Sequence, residues 1–459
     1  MMKTSTPDNK SPETLKTRRK SKKQKLAMFL IILGGGSLIG TKVFTLLFYL
    51  DPILGLYSLL TTFLVFISFI VSYIGYKDPL NYHVKNNKKN EITSTQSHNP
   101  LVSIVIPAKN DPVMIAEITK SVMLSSYENF ELILVNDGST DNTGKVMDEL
   151  KNQYTNIKII HLKKNLGKRK AVREGILTGP ASGEIILFID SDCVIERTAI
   201  ERLVKVFEDP DIGAVSGHGR ALNKDDNALT KMQDTWYDGQ FSIMKAIESV
   251  FGTVTCCPGI LAAYRREAIM PALDKWANDQ FLGSEFTLGD DRHLTSYVIG
   301  GNQHYLGKQY RVWKVKYCES AIVYTIVPTK FKTLVLQQIR WKKSWFRVFF
   351  FTAPYYYKNR NPFAASLYYL SMLWSFFSPV VAFRSLVYLP LQGSYLPGLV
   401  YLVGLIFIGL LFAAEFKLRN PDTGNQWVYR LYWQILGFFF SSLEFYSFLT
   451  IRNKSWLTR

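Results

Sequence analysis

The chain has 459 residues, 47% of them hydrophobic and 14% aromatic, and it carries a formal net charge of +18. A chain of this length can bury a large core and contain more than one module. The charge alone would suit a nucleic-acid binder, but its distribution excludes that reading, because it concentrates beside apolar segments. Residues 1–25 hold nine Lys or Arg against two acidic residues. We predict a basic cytoplasmic tail there and no nucleic-acid partner.

Two apolar segments follow the tail, at residues 26–50 and 54–76. Each is about as long as the roughly 20 residues that a helix needs to cross a bilayer, and Asp51 and Pro52 favour a turn between them. A cleavable signal peptide is the alternative for the first segment, but no small-residue cleavage site follows it. We predict a transmembrane hairpin over 26–76, with both flanks cytoplasmic by the positive-inside rule. The basic tail then either rests on anionic lipid or is simply solvated.

Residues 100–330 show a different pattern, in which short apolar runs alternate with helical stretches. Strands that are apolar throughout and alternate with helices predict a parallel sheet covered on both faces. The predicted strands lie at 101–108, 130–139, 157–162 and 184–192, and the predicted helices lie near 113–125, 141–153 and 167–179. The fold class is therefore α/β plus transmembrane α, with a nucleotide-binding type of domain between membrane segments.

The four cysteines, at positions 193, 256, 257 and 318, show no CxxC spacing. Adjacent cysteines rarely bridge each other. We interpret all four as reduced thiols in a cytosolic domain.

Acidic side chains follow two of the predicted strands. Asp137 comes after one strand, and Asp190 and Asp192 come after another. Ligands of such sheets lie beyond the carboxyl ends of the strands, where a carboxylate pair suits a hard divalent cation bound to a diphosphate. Ordinary surface turns are the alternative. Lys168 begins a helix, a position that suits a phosphate but also occurs in solvated basic helix starts.

The stretch GDDRHLT places Asp290 and Asp291 side by side. Adjacent carboxylates repel each other when they are buried together. The stretch is therefore either a solvated loop or a site that needs concentrated charge.

Residues 331–363 contain QQIRW within an apolar and basic stretch. Gln337, Arg340 and Trp341 lie at i, i+3 and i+4 and would share one face of a helix. The same stretch also suits an interfacial amphipathic helix, and the two readings are compatible. Further apolar segments follow at about 364–390, 396–414 and 430–450.

The motifs VSIVIPAKN, VNDGSTDNT, NLGKRKAV, DSD, GDDRHLT and QQIRW, in this order, resemble the inverting membrane glycosyltransferases of the processive polysaccharide synthase group. This group comprises hyaluronan, chitin, cellulose and nodulation chitooligosaccharide synthases. The match is dense over about 100–345 and extends to the arrangement of the membrane flanks. GDDRHLT, QQIRWKKSWFR and the terminal WLTR are most similar to hyaluronan synthases, whose last motif is WGTR, with Leu457 in place of glycine. The resemblance implies a GT-A type, Rossmann-like catalytic domain.

The resemblance also implies roles for individual residues. Asp291 would be the base that takes a proton from the acceptor hydroxyl, and Asp192 would ligate Mg²⁺ or Mn²⁺. Trp341 would lie beneath the acceptor sugar, and Cys257 belongs to a segment, CCPG, that lines the acceptor site. The residues that would bind the nucleotide sugar are Asp137, Lys168, Asp190, Gln337, Arg340, Trp456 and Arg459.

Three functions are compatible with these motifs. The leading hypothesis is a synthase that adds GlcNAc and GlcA alternately from UDP-GlcNAc and UDP-GlcA and passes the growing polysaccharide through its own channel in the bilayer. A chitin-type synthase using UDP-GlcNAc alone is the alternative, because VYTIVPTKFKTLVLQQIRW also resembles the nodulation enzymes. A silent membrane scaffold is the third, and the intact acids argue against it. We predict a multi-pass plasma-membrane protein with a cytoplasmic catalytic domain; no oligomeric state is indicated.

The C-terminal region, 364–459, poses a topological question. If WLTR contacts the nucleotide, the C-terminus must be cytoplasmic. Crossings at 364–390 and 396–414 return the chain to the cytoplasm, so a third crossing would leave the terminus outside. We therefore expect 430–450 to be interfacial or re-entrant, or 346–357 to take part in the membrane.

Overall fold

The computed structural model describes residues 29, 33–36, 51–80, 99–179, 181–285, 288–358 and 360–453. The predicted tail and most of the first predicted span lie outside these residues. The strands are β1 (Val102–Ala108), β2 (Phe130–Asn136), β3 (Ile157–His161), β4 (Ile185–Phe188), β5 (Cys193–Ile195), β6 (Ile212–Ala221), β7 (Ala262–Arg265), β8 (Gln280–Phe281), β9 (Ser284–Glu285) and β10 (Lys314–Thr325).

The helices of four or more residues alternate with the strands at first and then dominate the C-terminal part. They are α1 (Pro52–Ile70), α2 (Pro112–Met123), α3 (Thr143–Gln153), α4 (Lys168–Leu177), α5 (Ala199–Val206), α6 (Ala228–Gly239), α7 (Ala246–Val250), α8 (Arg266–Ile269), α9 (Leu273–Asn278), α10 (Asp290–Ser296), α11 (Phe331–Tyr356), α12 (Pro362–Phe383), α13 (Leu396–Arg419), α14 (Trp427–Ser441) and α15 (Leu443–Leu449). Wider, π-helical turns continue α1 (Val71–Gly75), α6 (Gln240–Lys245), α10 (Tyr297–Leu306) and α12 (Arg384–Tyr388).

Eight strands form one sheet, in the order β3-β2-β1-β4-β7-β6-β10-β5. The expected parallel sheet is confirmed for β3, β2, β1 and β4, and β6 also pairs in parallel with β10. The other pairs are antiparallel: β7 lies against β4 and β6, and β5 lies against β10. The sheet is therefore mixed. The regular alternation of strands and helices that a parallel sheet needs for its crossovers stops after the first half of the domain, and an antiparallel strand needs no helical crossover.

The core lies on both faces of the sheet. Strand β1 shows why, since successive side chains of a strand point to opposite faces. Ile104 and Ile106 pack against residues of α2 and α5 on one face. Val105 packs with Val172 and Ile176 of α4 on the other face. Both faces are thus covered, as the uninterrupted apolar strands predicted.

Three of the described helices are long and apolar enough to cross a membrane: Pro52–Gly75, Pro362–Leu391 and Leu396–Arg419. The first begins where the sequence predicts a turn, with Asp51 accepting a hydrogen bond from the backbone N–H of Leu54 at 2.9 Å. The last apolar segment forms α14 and α15, of 15 and 7 residues. Neither is long enough to cross a bilayer. The chain is membrane-associated.

Two of the apolar helices are attached to the strand β10 of the sheet. Beyond α1, the Tyr76 hydroxyl donates to the Tyr317 carbonyl at 3.0 Å, and the N–H of Ser320 donates to Asp78 at 2.8 Å. At the end of α13, Arg419 pairs with Glu319 at 3.1 Å. These bonds fix two of the apolar helices against the α/β domain.

Candidate active site

A cavity of about 3510 Å³ opens beside the carboxyl ends of β1, β2 and β4. This is where open α/β sheets bind their ligands. The cavity continues along α11 and then between α1 and α12. Most of the residues predicted from the sequence line it: Asp137, Lys168, Asp190, Asp192, Asp291, Gln337, Arg340 and Trp341.

The two adjacent aspartates at the start of α10 have different partners. Asp290 is 7% exposed, and one of its carboxylate oxygens lies 2.6 Å from Nε of Arg169. Both aspartates line the cavity, but the side chain of Asp291 is 29% exposed. Burial raises the pKa of Asp290, although Arg169 and Lys168 offset part of that effect. The two carboxylates can lie side by side because each has its own cation.

Asp291 is held by a backbone amide and an ammonium group. One carboxylate oxygen accepts a hydrogen bond from the N–H of Gly259 at 2.9 Å, and the other lies 3.5 Å from Nζ of Lys168. Burial by itself would raise the pKa of Asp291, but Lys168, the Gly259 amide and Arg340 together hold it below its ordinary value. Asp291 is therefore ionised at neutral pH, as a proton acceptor must be.

Gly259 leaves the space in which these groups meet. A Cβ atom at this position would lie 2.6 Å from Nζ of Lys168, 3.0 Å from Oδ1 of Asp190 and 3.2 Å from Oδ1 of Asp291. Any side chain here would displace the ammonium group from between the two carboxylates.

Lys168 lies between Asp291 and the acids that follow β4. Its Nζ lies 2.6 Å from Oδ1 of Asp190. Burial disfavours the charged ammonium, but Asp190 and Asp291 more than offset burial and raise the pKa of Lys168. The turn that carries Asp190 and Asp192 is fixed by a hydrogen bond from the Ser191 hydroxyl to Asp111 at 3.0 Å.

Asp137 orders the loop that presents Lys168. Its two carboxylate oxygens accept hydrogen bonds from the backbone N–H groups of Leu166 at 2.7 Å and Gly167 at 3.0 Å. Burial raises the pKa of Asp137, and these two amides offset part of that rise. The predicted nucleotide contact and this structural role use the same carboxylate.

An aromatic shelf, made of Trp236, Tyr237, Trp341 and Trp433, adjoins the cavity-lining face of α11. Trp341 stacks on Trp236 with ring centroids 5.8 Å apart, and Trp236 stacks on Trp433 at 4.8 Å. Tyr237 meets Trp341 edge-on at 6.2 Å. The indole of Trp341 is thereby held in place beside the cavity, as a platform for a flat sugar face would need to be.

The remaining predicted residues are not in the cavity wall that the structure describes. Cys257 is completely buried, and its backbone N–H donates to the Thr295 hydroxyl at 3.0 Å. Burial raises the pKa of the Cys257 thiol, and it is the neighbouring Cys256 that lines the cavity. Trp456 and Arg459 lie outside the described residues.

Comparison with known proteins places this chain in a family. Residues 103–271 match the family model "Glycosyl transferase family 2". A hyaluronan synthase from Streptococcus pyogenes is 32% identical over 369 residues, which cover 79% of this chain and 84% of the relative. The chain belongs to the hyaluronan synthase family. It is a UDP-sugar glycosyltransferase of the kind that makes polysaccharides.

Two further comparisons bear on the synthase. An N-acetylglucosaminyltransferase from Rhizobium meliloti is 33% identical over 269 residues, which cover 58% of this chain and 60% of that one. The structure of a mannosyltransferase from Pyrobaculum calidifontis, in complex with GDP-Man and Mn²⁺, aligns with a TM-score of 0.53 and 18% identity over 84% of this chain and 97% of that one. The predicted GT-A type catalytic domain is thereby confirmed.

Asp190 and Asp192, the acids that follow β4, suit a divalent cation that is also bound by a diphosphate. Among the described residues, no three His, Cys, Asp or Glu side chains cluster as a complete metal site. Mg²⁺ and Mn²⁺ at a diphosphate need fewer protein ligands, because phosphate oxygens and water supply the rest. Asp190 and Asp192, both lining the cavity of the synthase, fit that requirement.

The membrane part of the cavity is lined differently from the catalytic part. On α1 the lining residues are Thr61, Leu64, Val65 and Ser68, which lie on one helix face. On α12 they include Leu367, Ser371, Trp374 and Ser375, again on one face. None of the lining residues that the described parts of α1 and α12 contribute is charged.

Sequence reasoning did not identify three residues that shape the site. Arg169 pairs with Asp290, Gly259 holds Asp291, and Trp236 supports Trp341. Arg169 and Gly259 lie within the motifs GKRKAV and CCPG, so the sequence did indicate that these two segments belong to the site. Trp236 lies on α6 in no recognised motif, and its role depends on a contact between distant helices.

Proposed function

We propose that this synthase polymerises hyaluronan from UDP-GlcNAc and UDP-GlcA and moves the product through its own membrane region. The observation that carries the proposal is the single cavity shared by Asp291 and by the facing surfaces of α1 and α12. A growing chain in that cavity has its reactive end beside the carboxylates and the membrane helices along its length.

The nucleotide sugar is proposed to bind on the side of Asp137, Lys168 and Asp190. Lys168 and Arg340 supply positive charge for the diphosphate, and Gln337 has a buried side-chain oxygen with no hydrogen-bond partner among the described residues. Trp456 and Arg459 complete the nucleotide site in this proposal. Asp192 is the proposed ligand of Mg²⁺ or Mn²⁺, which when bound would neutralise charge on the departing diphosphate.

Asp291 is the proposed catalytic base. Its carboxylate is ionised in the free enzyme because Lys168 lies close to it. When a diphosphate attracts the same ammonium, the proton affinity of Asp291 rises, which improves it as an acceptor for the sugar hydroxyl proton. Trp341 supports the acceptor sugar from below. Cys257 lies buried behind the part of the acceptor-site wall that Cys256 lines.

The proposed orientation places the catalytic domain in the cytoplasm of a multi-pass protein of the plasma membrane. Lys77 follows the first described span, and Lys417 and Arg419 end the last one. All three lie at helix ends that join the catalytic domain, in agreement with the positive-inside rule. In this orientation α14 and α15, which are each too short to cross the bilayer, leave the chain on the cytoplasmic side.

The decisive experiment measures UDP release by the purified full-length protein in detergent with Mg²⁺ or Mn²⁺. We expect sustained turnover, and a large product that hyaluronidase digests, only when UDP-GlcNAc and UDP-GlcA are both present. Absence of that product with both sugars would contradict the proposal.

A chitin-type synthase remains the second candidate, because the Rhizobium meliloti relative is an N-acetylglucosaminyltransferase. It predicts sustained polymerisation from UDP-GlcNAc alone. The same assay therefore separates the two functions, since sugar choice depends on a few pocket contacts.

A further inference from the structure

Helix α6 and the wider turn that continues it form one wall of the cavity. The cavity-lining residues of this segment include Trp236, Tyr237, Gln240, Phe241 and Met244. Their spacing places them on one side of the helix. Two positions along a helix correspond to a rotation of about 200°, so Asp238 points away from the side that Trp236 presents to the cavity. Asp238 is 3% exposed and lies behind this wall.

On that far side, the carboxylate of Asp238 contacts the sheet. Its Oδ1 lies 3.3 Å from Nη1 of Arg220 and 3.6 Å from Nε2 of His218, both on β6. Nδ1 of His218 shares a hydrogen bond of 2.6 Å with the hydroxyl of Tyr317 on β10. Arg220 supplies the positive charge that a buried carboxylate needs, because an unpaired buried charge is costly. Asp238 therefore attaches the wall to the sheet.

The other oxygen of Asp238 is bound from the end of the apolar helix α13. Nδ2 of Asn420, the residue that follows α13, donates to Oδ2 of Asp238 at 3.0 Å. Nη2 of Arg419, the last residue of α13, donates to the carbonyl of Ser242 at 3.4 Å. The Ser242 hydroxyl in turn donates to the carbonyl of Asp238 at 2.6 Å. The end of α13 thus holds two successive turns of the wall.

Asp234 lies one turn earlier on the same face of α6 and has different partners. It is 1% exposed, its carboxylate lies 2.6 Å from Nη2 of Arg220, and it accepts a hydrogen bond from the N–H of Ala221 at 3.0 Å. Both partners belong to β6, and Asp234 makes no hydrogen bond to the described residues of α13. Of these two buried acids, only Asp238 joins the wall to both the sheet and α13.

We propose that Asp238 is a positioning residue, which fixes the wall formed by α6 and the turn after it against α13 and thereby holds the growing polymer in the cavity between additions. This inference rests on the proposed function, because it takes the polymer to lie in this cavity. Without the carboxylate, the wall keeps its attachment to the sheet through Asp234 but loses its link to α13. The wall then moves independently of the apolar helices, and the polymer is released earlier.

The test measures product length, the KM for UDP-sugars and thermal stability for the purified full-length synthase. We expect Asp238→Asn and Asn420→Leu each to shorten the product about tenfold. The KM for UDP-sugars should not change, because both side chains lie outside the cavity wall that the structure describes. Asn420→Leu removes no charge, so it tests the link to α13 if Asp238→Asn does not fold.

Asp234→Asn is the matched control. It removes a buried carboxylate from the same helix, and we expect it to lower thermal stability and leave product length unchanged. The exchange of both partners, Asp238→Asn with Asn420→Asp, again places an amide beside a carboxylate. It should restore part of the product length, which a change in stability alone does not explain.

Three outcomes would overturn the inference: full-length product from both single variants, equal shortening by Asp234→Asn, or an exchanged pair that is no better than the worse single variant. Each is read from product length relative to the wild type and is independent of which sugars the product contains. Failure of the proposed function would appear instead in the wild type, as a polymer that hyaluronidase does not digest.

Discussion

The catalytic and membrane parts of one cavity differ in the charge of their lining side chains. Around Asp291 the wall is charged, and Lys168, Asp190 and Gly259 lie within 3.5 Å of a carboxylate or an ammonium group. Between α1 and α12 the lining is made of hydroxyl, aliphatic and aromatic groups. Proton transfer needs fixed charges at defined distances. Passage of a polymer needs contacts weak enough to be left again.

The largest effect should come from removing the charge of Asp291, the proposed catalytic base. Asp291→Asn keeps the size of the side chain but abolishes its ability to accept a proton. We expect UDP release to fall by about 10³-fold. The measurement is turnover with saturating UDP-sugars, beside a thermal melt showing that the fold is intact. A silent scaffold would keep its cellular role after this change, so undiminished function would contradict the enzymatic reading.

The buried pair of Asp290 and Arg169, next to Asp291, should matter more for folding than any surface pair. Asp290→Asn removes the carboxylate that pairs with the buried Arg169 at 2.6 Å, and we expect a loss of about 3 kcal/mol in stability. The control is Glu149→Gln, which removes an exposed pair with Lys145 at 4.0 Å and should leave the melt unchanged. Equal melts for both variants would show that the pair of Asp290 and Arg169 is not a structural element of the charged wall.

In the membrane part of the cavity, polymer length should depend on the size of the lining side chains and not on their charge. Ser371 lines the cavity on α12, so Ser371→Trp is expected to shorten the polymer about tenfold while UDP release from short acceptors persists. Leu373→Trp is the matched change on the same helix, at a side chain that is 70% exposed. Product length is measured by gel electrophoresis. If both variants make polymer of full length, the product does not pass between α1 and α12.

The two parts also differ in how far the sequence predicts them. Catalytic residues cluster in short motifs at strand ends, so Asp137, Asp190 and Asp291 could be assigned to one cavity before the structure. The membrane segments could be located by their apolar length, but not the faces that line the cavity. The partner of Trp341 was equally hidden, because the contact with Trp236 joins helices more than 100 residues apart.

The smallest expected effect is a shift in pH dependence, and it tests whether Lys168 sets the proton affinity of Asp291. Lys168 holds the pKa of Asp291 below its ordinary value, so in the wild type Asp291 stays ionised, and active, as the pH falls through the usual carboxyl range. In Lys168→Gln, burial is no longer opposed by the ammonium, and the acid limb of kcat/KM should move to higher pH by about one unit. Lys170→Gln removes a cation from the same helix start, where Lys170 pairs with Glu285 at 3.1 Å, and should leave the limb in place. Because kcat/KM reports the free enzyme, a limb that stays fixed in Lys168→Gln would mean that Gly259 and Arg340 alone set the proton affinity of Asp291.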